Sequence, residues 1–527
     1  MRWVLKLAGI SLLAFILWLS LPSKFITHPY LISHDTNTYT NAPGISEGFS
    51  LNNFSNSLRT PGYPLFLFVA TLGEIPHPNT IIHVFCGANY FSKNSDCDKA
   101  AAQLNADVTV RFPPLVYGFS QRTSELFQRA ITTSRLLFIF SLLMLFLSLT
   151  ERSNILLALL SVVFVTNSMR LTEFTLFQDI VATESLFPAI FFLYMAAILT
   201  YLNSGRAVWA LSATLLALFS GLVRPALLYL PILHLVIVLP VAVYRREWIF
   251  AALGLLLTSA MFSWLFWWSP VTYFSTTSYA NDLLRTAVIS DQATIDCVSD
   301  PSEKALLTGY LRSISGATSA KRSDGVERYY VQRYFDFGLA NSYKIDNFGV
   351  ADSQGIDAKE HPIYQEPGLA LRDGQIPTEL IHRMLHSAKA CNVGKTIEFT
   401  AIKLAMMLGL TPDLSPVHAP RFFFRSPWVF VESVLIILSA MGIAIVKRDG
   451  WWLGAISISC AIYFGTILIV AFEQGGEARY SYIVEPLFVF SAAASASYLI
   501  EKWLTRARHH SPFSRRVRVL RPQTPLS

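Results

Sequence analysis

Charged side chains are scarce in this 527-residue chain: Asp, Glu, Lys and Arg make up 15% of it, against 53% hydrophobic and 13% aromatic residues. A water-soluble domain carries about 25% charged residues, so the composition excludes an ordinary soluble protein and makes the bilayer the expected solvent. Several catalytic signatures are missing too. There is no Walker-type Gly-rich loop, no Gly-x-Gly-x-x-Gly fingerprint and no Gly-x-Ser-x-Gly elbow, which argues against nucleotide-driven chemistry.

What the sequence has instead is long apolar runs. A helix needs about 20 apolar residues to cross a hydrocarbon core. Ten runs approach or reach that length: Trp3 to Leu21, 131–149, 154–170, 185–202, 206–223, 226–244, 248–268, 427–446, 451–472 and 480–500. The first follows Arg2 and has no small-x-small cleavage site before Lys24, so it reads as a retained helix rather than a cleaved signal. Two runs nearly touch at Arg224-Pro225, and together they are too long for one crossing, so a hairpin fits. The fold class expected is an all-α polytopic membrane protein with about ten transmembrane helices and two large extracytoplasmic loops.

Lys and Arg in short loops mark the cytoplasmic side. By that rule Glu151-Arg152, Gly205-Arg206, Arg245-Arg246 and Lys447-Arg448 lie inside, and both termini are cytoplasmic. The tail sets Lys502, Arg506, Arg508, Arg515, Arg516, Arg518 and Arg521 against the single acid Glu501, so it holds most of the formal charge of +7. Beside a membrane such a tail anchors topology and touches anionic lipid, and no nucleic acid partner is expected.

The chain divides into an N-terminal transmembrane module (1–268) that includes an outer loop (23–130), an extracytoplasmic loop domain (269–426), C-terminal transmembrane helices (427–500) and a basic cytoplasmic tail (501–527). Connections as long as the two outer loops carry function or a folded unit of their own. Cys86 and Cys97 fall in the first, Cys297 and Cys391 in the second, and Cys460 inside an apolar run. An even count in each loop suggests Cys86–Cys97 and Cys297–Cys391 disulfides, with cross-loop pairing and free thiols left open. Near the end of the second loop, Thr396 to Leu410 is amphipathic enough to lie on the membrane surface.

Four short stretches carry chemistry. Ser33-His34-Asp35-Thr36-Asn37-Thr38-Tyr39 is followed by Leu58-Arg59-Thr60-Pro61-Gly62-Tyr63-Pro64; Thr183-Glu184-Ser185-Leu186-Phe187 opens the fourth run; Arg224-Pro225 follows the fifth; Arg479-Tyr480 and Glu485-Pro486 open the tenth. All fall at the outer edge of the membrane. In this order and sidedness they resemble the C-type (GT-C) glycosyltransferases. The resemblance is closest to the family 39-like branch related to protein O-mannosyltransferases and bacterial lipid A aminoarabinose transferases, which take a sugar from a polyprenyl-phosphate carrier. It covers most of the chain in architecture and these four stretches in motif. It also implies a helix soon after the Pro-Gly-Tyr-Pro turn, where this chain has a long polar stretch.

The resemblance implies that an acceptor nucleophile displaces polyprenyl phosphate from the anomeric carbon with inversion, and it makes Asp35 the general base on the face opposite the leaving group. Glu184 is the second catalytic candidate, orienting the acceptor or pairing with an arginine. Arg59, Arg224 and Arg479 are candidates for the donor phosphate, because a guanidinium grips phosphate oxygens in bidentate fashion. Tyr39, Tyr63 and Tyr480 stand beside them as supporting residues.

No cofactor and no essential metal is expected, although His34, Asp35 and Glu184 are the donors a divalent ion would use. The partners expected are a polyprenyl-phosphate-linked sugar, a glycan, lipid or protein acceptor, and membrane lipids. A bacterial inner membrane is expected ahead of the endoplasmic reticulum. The bland reading of Asp35 is an Asx-turn acid. Two other classes compete: a lipid or solute transporter or flippase, which would place ionisable residues near the bilayer midplane, and a non-catalytic membrane assembly protein.

Overall fold

The computed structural model describes residues 2–20, 62–74, 82–85, 94–112, 115–171, 181–224, 227–263, 285–314, 321–326, 328–330, 332–333, 378–408, 410, 427–473 and 484–510. After α1 (Arg2–Ser20) come a short helix α2 (Gly62–Ala70), strand β1 (Ile82–Phe85), helix α3 (Asn94–Gln103) and strands β2 (Val108–Phe112) and β3 (Leu115–Phe119). The strands form an antiparallel sheet in the order β1-β3-β2, with Val84 opposite Val116 and Val110 opposite Tyr117. This sheet corrects the all-α expectation. Val-Thr-Val-Arg-Phe and Leu-Val-Tyr-Gly-Phe are β-branched and aromatic segments of strand composition, and Pro113-Pro114 separates them because proline cannot extend a sheet ladder.

Six helices follow: α4 (Gln121–Thr150), α5 (Ile155–Leu171), α6 (Thr183–Ser204), α7 (Ala207–Val223), α8 (Tyr229–Tyr244) and α9 (Trp248–Ser263). α4 begins at Gln121 rather than 131, because Ser120 caps it by accepting the Thr123 N–H at 3.2 Å and a cap outweighs the polarity of the first turns. The runs flanking Arg224-Pro225 form two separate helices. The remaining helices are α10 (Gln292–Cys297), α11 (Pro301–Ile314), α12 (Thr378–Cys391), α13 (Val393–Met407), α14 (Pro427–Val446), α15 (Gly450–Glu473) and α16 (Glu485–His510).

Among the described residues α4, α6, α14 and α15 contain segments long and apolar enough to cross a membrane, and α1, α5, α7, α8 and α9 are shorter apolar helices beside them. The chain is an integral membrane protein. Burial separates two kinds of span: 83% of the apolar window of α6 is buried, against 22% for α14. α6 is enclosed by α4, α7 and α15, whereas Leu435, Leu438 and Ile445 of α14 point outward, as acyl-chain contact requires.

Hydroxyls stitch the enclosed contacts. Ser134 donates to the Ser185 carbonyl at 2.6 Å and Ser148 to that of Ala196 at 3.1 Å, joining α4 to α6. Ser161 meets Ser497 at 2.8 Å between α5 and α16. Small hydroxylated residues let helices approach closely, each interhelical bond contributing about 0.6 kcal/mol within a membrane.

The basic breaks share one end of the bundle. Lys6 pairs with Glu151 at 2.9 Å, Arg245 donates to the Tyr201 and Leu202 carbonyls at the end of α6, Tyr201 donates to Glu247 at 2.8 Å, and Lys502 pairs with Asp449 at 3.1 Å. The opposite end holds the starts of α2, α6 and α16 and the end of α7.

Helices α10 to α13 form a unit with its own core of Val288, Leu307, Tyr330, Met384, Leu385 and Phe399. Cys297 and Cys391 are bonded within it, with Cα atoms 6.0 Å apart. Asp291 opens α10 with a reciprocal capping box to Thr294 and pairs with Lys395 at 2.6 Å. Burial acts against ionisation of Asp291, but the hydrogen bonds from Lys395 and Thr294 outweigh it and hold the carboxyl below its ordinary value. The amphipathic segment expected on the membrane surface is α13. Its Phe399 and Ile402 enter this second core and its Met407 enters the bundle core, so it ties the unit to the spans.

An ionisable side chain also lies among the apolar helices. His234 of α8 is buried between α6 and α7, where Nε2 lies 2.8 Å from Thr214 Oγ1 and Nδ1 lies 3.3 Å from the Tyr194 hydroxyl. Both ring nitrogens are engaged by neighbouring helices, which gives the histidine a fastening role. A lone histidine inside an apolar run was the sequence signal for it.

Candidate functional site

Pro225 dictates how α7 ends. A residue before proline is driven out of the helical region, and Arg224 is extended, with φ −149° and ψ 124°. Its chain therefore turns away while its guanidinium reaches the first turn of α6. Arg224 Nη1 donates to Thr183 Oγ1 at 3.4 Å, and the guanidinium carbon lies 5.8 Å from the Phe187 ring centroid. Thr183 and Phe187 belong to the same short stretch as Glu184. Their role as partners of Arg224 was absent from the sequence reading, although the motif itself was in view.

The α6 N-terminus adds to the positive character of this surface. Its cap residue Ala182 makes no side-chain cap bond, and the positive end of the helix dipole lies beside Arg224.

α2 supplies the third side. It starts at Gly62 inside the Pro-Gly-Tyr-Pro turn and runs to Ala70, the helix soon after the turn that the motif implies, though of nine residues only. Gly62 is pressed against the last turn of α7: a Cβ there would stand 2.6 Å from the Val223 nitrogen and 2.7 Å from the Leu222 carbonyl carbon. These are backbone atoms and cannot swing aside. Gly62→Ala is therefore expected to push α2 away from the Arg224 turn and lower stability by about 1–3 kcal/mol, the cost of overpacking, read as a lower thermal midpoint in detergent. An unchanged midpoint would show that the contact is looser than this. Tyr63 is fully buried, its ring centroid 5.7 Å from that of Phe66, so it packs against the bundle.

Of the four stretches, three thus meet at one place: the Pro-Gly-Tyr-Pro turn, the start of α6 and Arg224. The fourth is represented by Glu485, which opens α16 at the same end of the bundle with only 4% of its surface exposed. One turn on, Phe488 lies against Tyr463 with centroids 4.6 Å apart. Asp35, Tyr39, Arg59, Arg479, Tyr480 and Cys86 lie outside the described residues, as do the side chains of Glu184 and Cys97. Two of the three candidate metal donors, His34 and Asp35, and the side chain of the third, Glu184, are among those not described.

No family model and no curated protein matches the chain. Among solved structures it is similar to the archaeal oligosaccharyltransferase AglB from Archaeoglobus fulgidus, in complex with an inhibitory peptide and a dolichol-phosphate, with 11% identity and a TM-score of 0.37. The match covers 99% of this chain and 52% of that one, so the chain spans about half the length of that enzyme. A score of this size is too low to define a shared fold.

Proposed function

We propose that the protein is a C-type membrane glycosyltransferase that moves a sugar from a polyprenyl-phosphate donor to an extracytoplasmic acceptor with inversion. The observation that carries this reading is the convergence of Gly62, Thr183 and Arg224 at the end of the bundle opposite the basic breaks. These positions belong to three sequence stretches whose order resembles that family, and they are brought together where α2 packs on the last turn of α7 and Arg224 reaches the first turn of α6.

Arg224 and the uncapped start of α6 form a cationic surface suited to the phosphate of the donor. An acceptor hydroxyl or amine attacks the anomeric carbon. Its proton passes to Asp35, the bond from that carbon to the phosphate oxygen breaks, and the leaving polyprenyl phosphate keeps the electron pair. Glu184, on the first turn of α6, orients the acceptor or pairs with an arginine, and Arg59 and Arg479 assist at the phosphate. The chemistry needs no nucleotide, in keeping with the missing nucleotide motifs.

The test is a panel of radiolabelled polyprenyl-phosphate sugars offered to membranes containing the protein. One donor should label an acceptor. Arg224→Ala should raise the apparent KM for that donor about tenfold or more, the loss of a charge-assisted hydrogen bond, and Arg224→Lys should restore part of it. Transfer from none of the donors, or an unchanged KM in Arg224→Ala, would remove the reading or the role of Arg224 respectively. Movement of a labelled lipid across the bilayer without transfer would favour the flippase reading.

A further inference from the structure

The basic end of the bundle holds a cavity that the transfer reaction does not use. It is an open cleft of about 640 Å³ between the ends of α6 and α8 and the turn joining α14 to α15, and its rim carries Arg152, Arg245, Lys447 and Arg448. Its one acid, Asp449, is occupied by Lys502 at 3.1 Å. Arg152 donates to Asn203 at 2.5 Å and Arg245 is spent on the end of α6. Lys447 and Arg448 are exposed, and neither has a side-chain partner among the described residues.

A left-handed backbone recurs at this end of the bundle, at Arg246 of the turn after α8 as well as at Arg448. Arg448 adopts φ +52°, the left-handed region that glycine enters without steric cost. It closes a helix-end turn in which the Arg448 N–H reaches the Ile445 carbonyl at 3.0 Å and the Asp449 N–H reaches that of Ala444 at 2.8 Å. The position favours glycine or asparagine, yet it carries an arginine aimed at the rim of a cavity.

We infer that this cavity binds the phosphate of one anionic glycerophospholipid from the surrounding leaflet, with Lys447 and Arg448 as the gripping residues. The surroundings decide for a lipid over a soluble anion. Tyr244 and Val446, at the ends of α8 and α14, are 89% and 80% exposed, and Ile445 beside them is also outward. An apolar flank leading up to a cationic rim offers acyl chains and a headgroup phosphate their separate environments at once. The inference is independent of the proposed transferase activity, which belongs to the opposite end.

Native mass spectrometry of the detergent-purified full-length protein tests it. The chain is titrated with phosphatidylglycerol, with phosphatidylcholine, and with phosphatidylglycerol in the presence of inorganic phosphate. Phosphatidylglycerol should bind about tenfold or more tightly than phosphatidylcholine, the value of a charge-assisted contact, and inorganic phosphate should compete weakly. Arg448→Gly should lose that preference while its thermal midpoint holds or rises, because glycine relaxes the turn; a purely structural arginine would leave lipid binding untouched. Lys447→Gln, outside the strained position, should lose part of the preference as well. Equal retention of the two lipids, wild-type phosphatidylglycerol binding in both variants, or full displacement by inorganic phosphate would each overturn the assignment.

Discussion

Asp35→Asn is expected to lower sugar transfer by about 10²–10⁴-fold, the usual contribution of a positioned general base, while donor binding and membrane insertion stay at their wild-type levels. The substitution separates the two readings of this residue cleanly. Asparagine forms an Asx turn as readily as aspartate, so a residue that only shapes its loop would tolerate the change. A residue that must take the acceptor proton would not, because an amide has no basic oxygen at neutral pH. Single-turnover transfer from a labelled donor, with donor retention measured alongside, gives both numbers. A wild-type single-turnover rate in the asparagine variant would return Asp35 to the loop.

Loss of the Cys297–Cys391 bond carries the second large effect. The bridge spans 94 residues of sequence, and cross-linking a loop of that size is worth about 4–5 kcal/mol in the chain-entropy treatment. The unit it fastens, α10 to α13, has a small core of its own, so little else replaces the constraint. Cys297→Ser, or mild reduction of the native protein, should open this unit to protease while α4 to α9 stay protected inside the bundle. Equal cleavage rates before and after reduction would mean that the unit's packing alone sustains it.

The apolar helices were legible in the sequence, four of them long and apolar enough to cross a membrane, because a bilayer imposes length and apolarity on each helix separately, a demand met by residues adjacent in the chain. Their limits were less so. α8 begins at Tyr229, three residues beyond the apolar run that starts at 226, since Pro225 sits at its threshold. α16 continues to His510, past the apolar run, because a helix leaving the membrane loses nothing by becoming charged.

The β1-β3-β2 sheet escaped notice for the opposite reason. Its strands are four or five residues long, and their pairing depends on partners that no local period reveals. The candidate site was legible as four separate motifs but not as a place. That Gly62 stands against Leu222 and Val223, and that Arg224 finds Thr183, are consequences of helix packing. Lys447-Arg448 was legible as a basic break between two apolar runs, whereas the left-handed backbone of Arg448 exists only in three dimensions.

The enclosure of α6 has a consequence for how the protein is made. α4 precedes it and α7 directly follows it in the chain, but the wall closed by α15, where Trp451 donates to the Leu199 carbonyl at 3.1 Å, is translated roughly 250 residues later; at about 5–20 residues per second that is a wait of about 12–50 s. Throughout that interval the innermost span sits in the membrane with one flank bare. A chain stopped before α14 would keep that flank bare for good, offering membrane quality control a surface that the finished protein never displays.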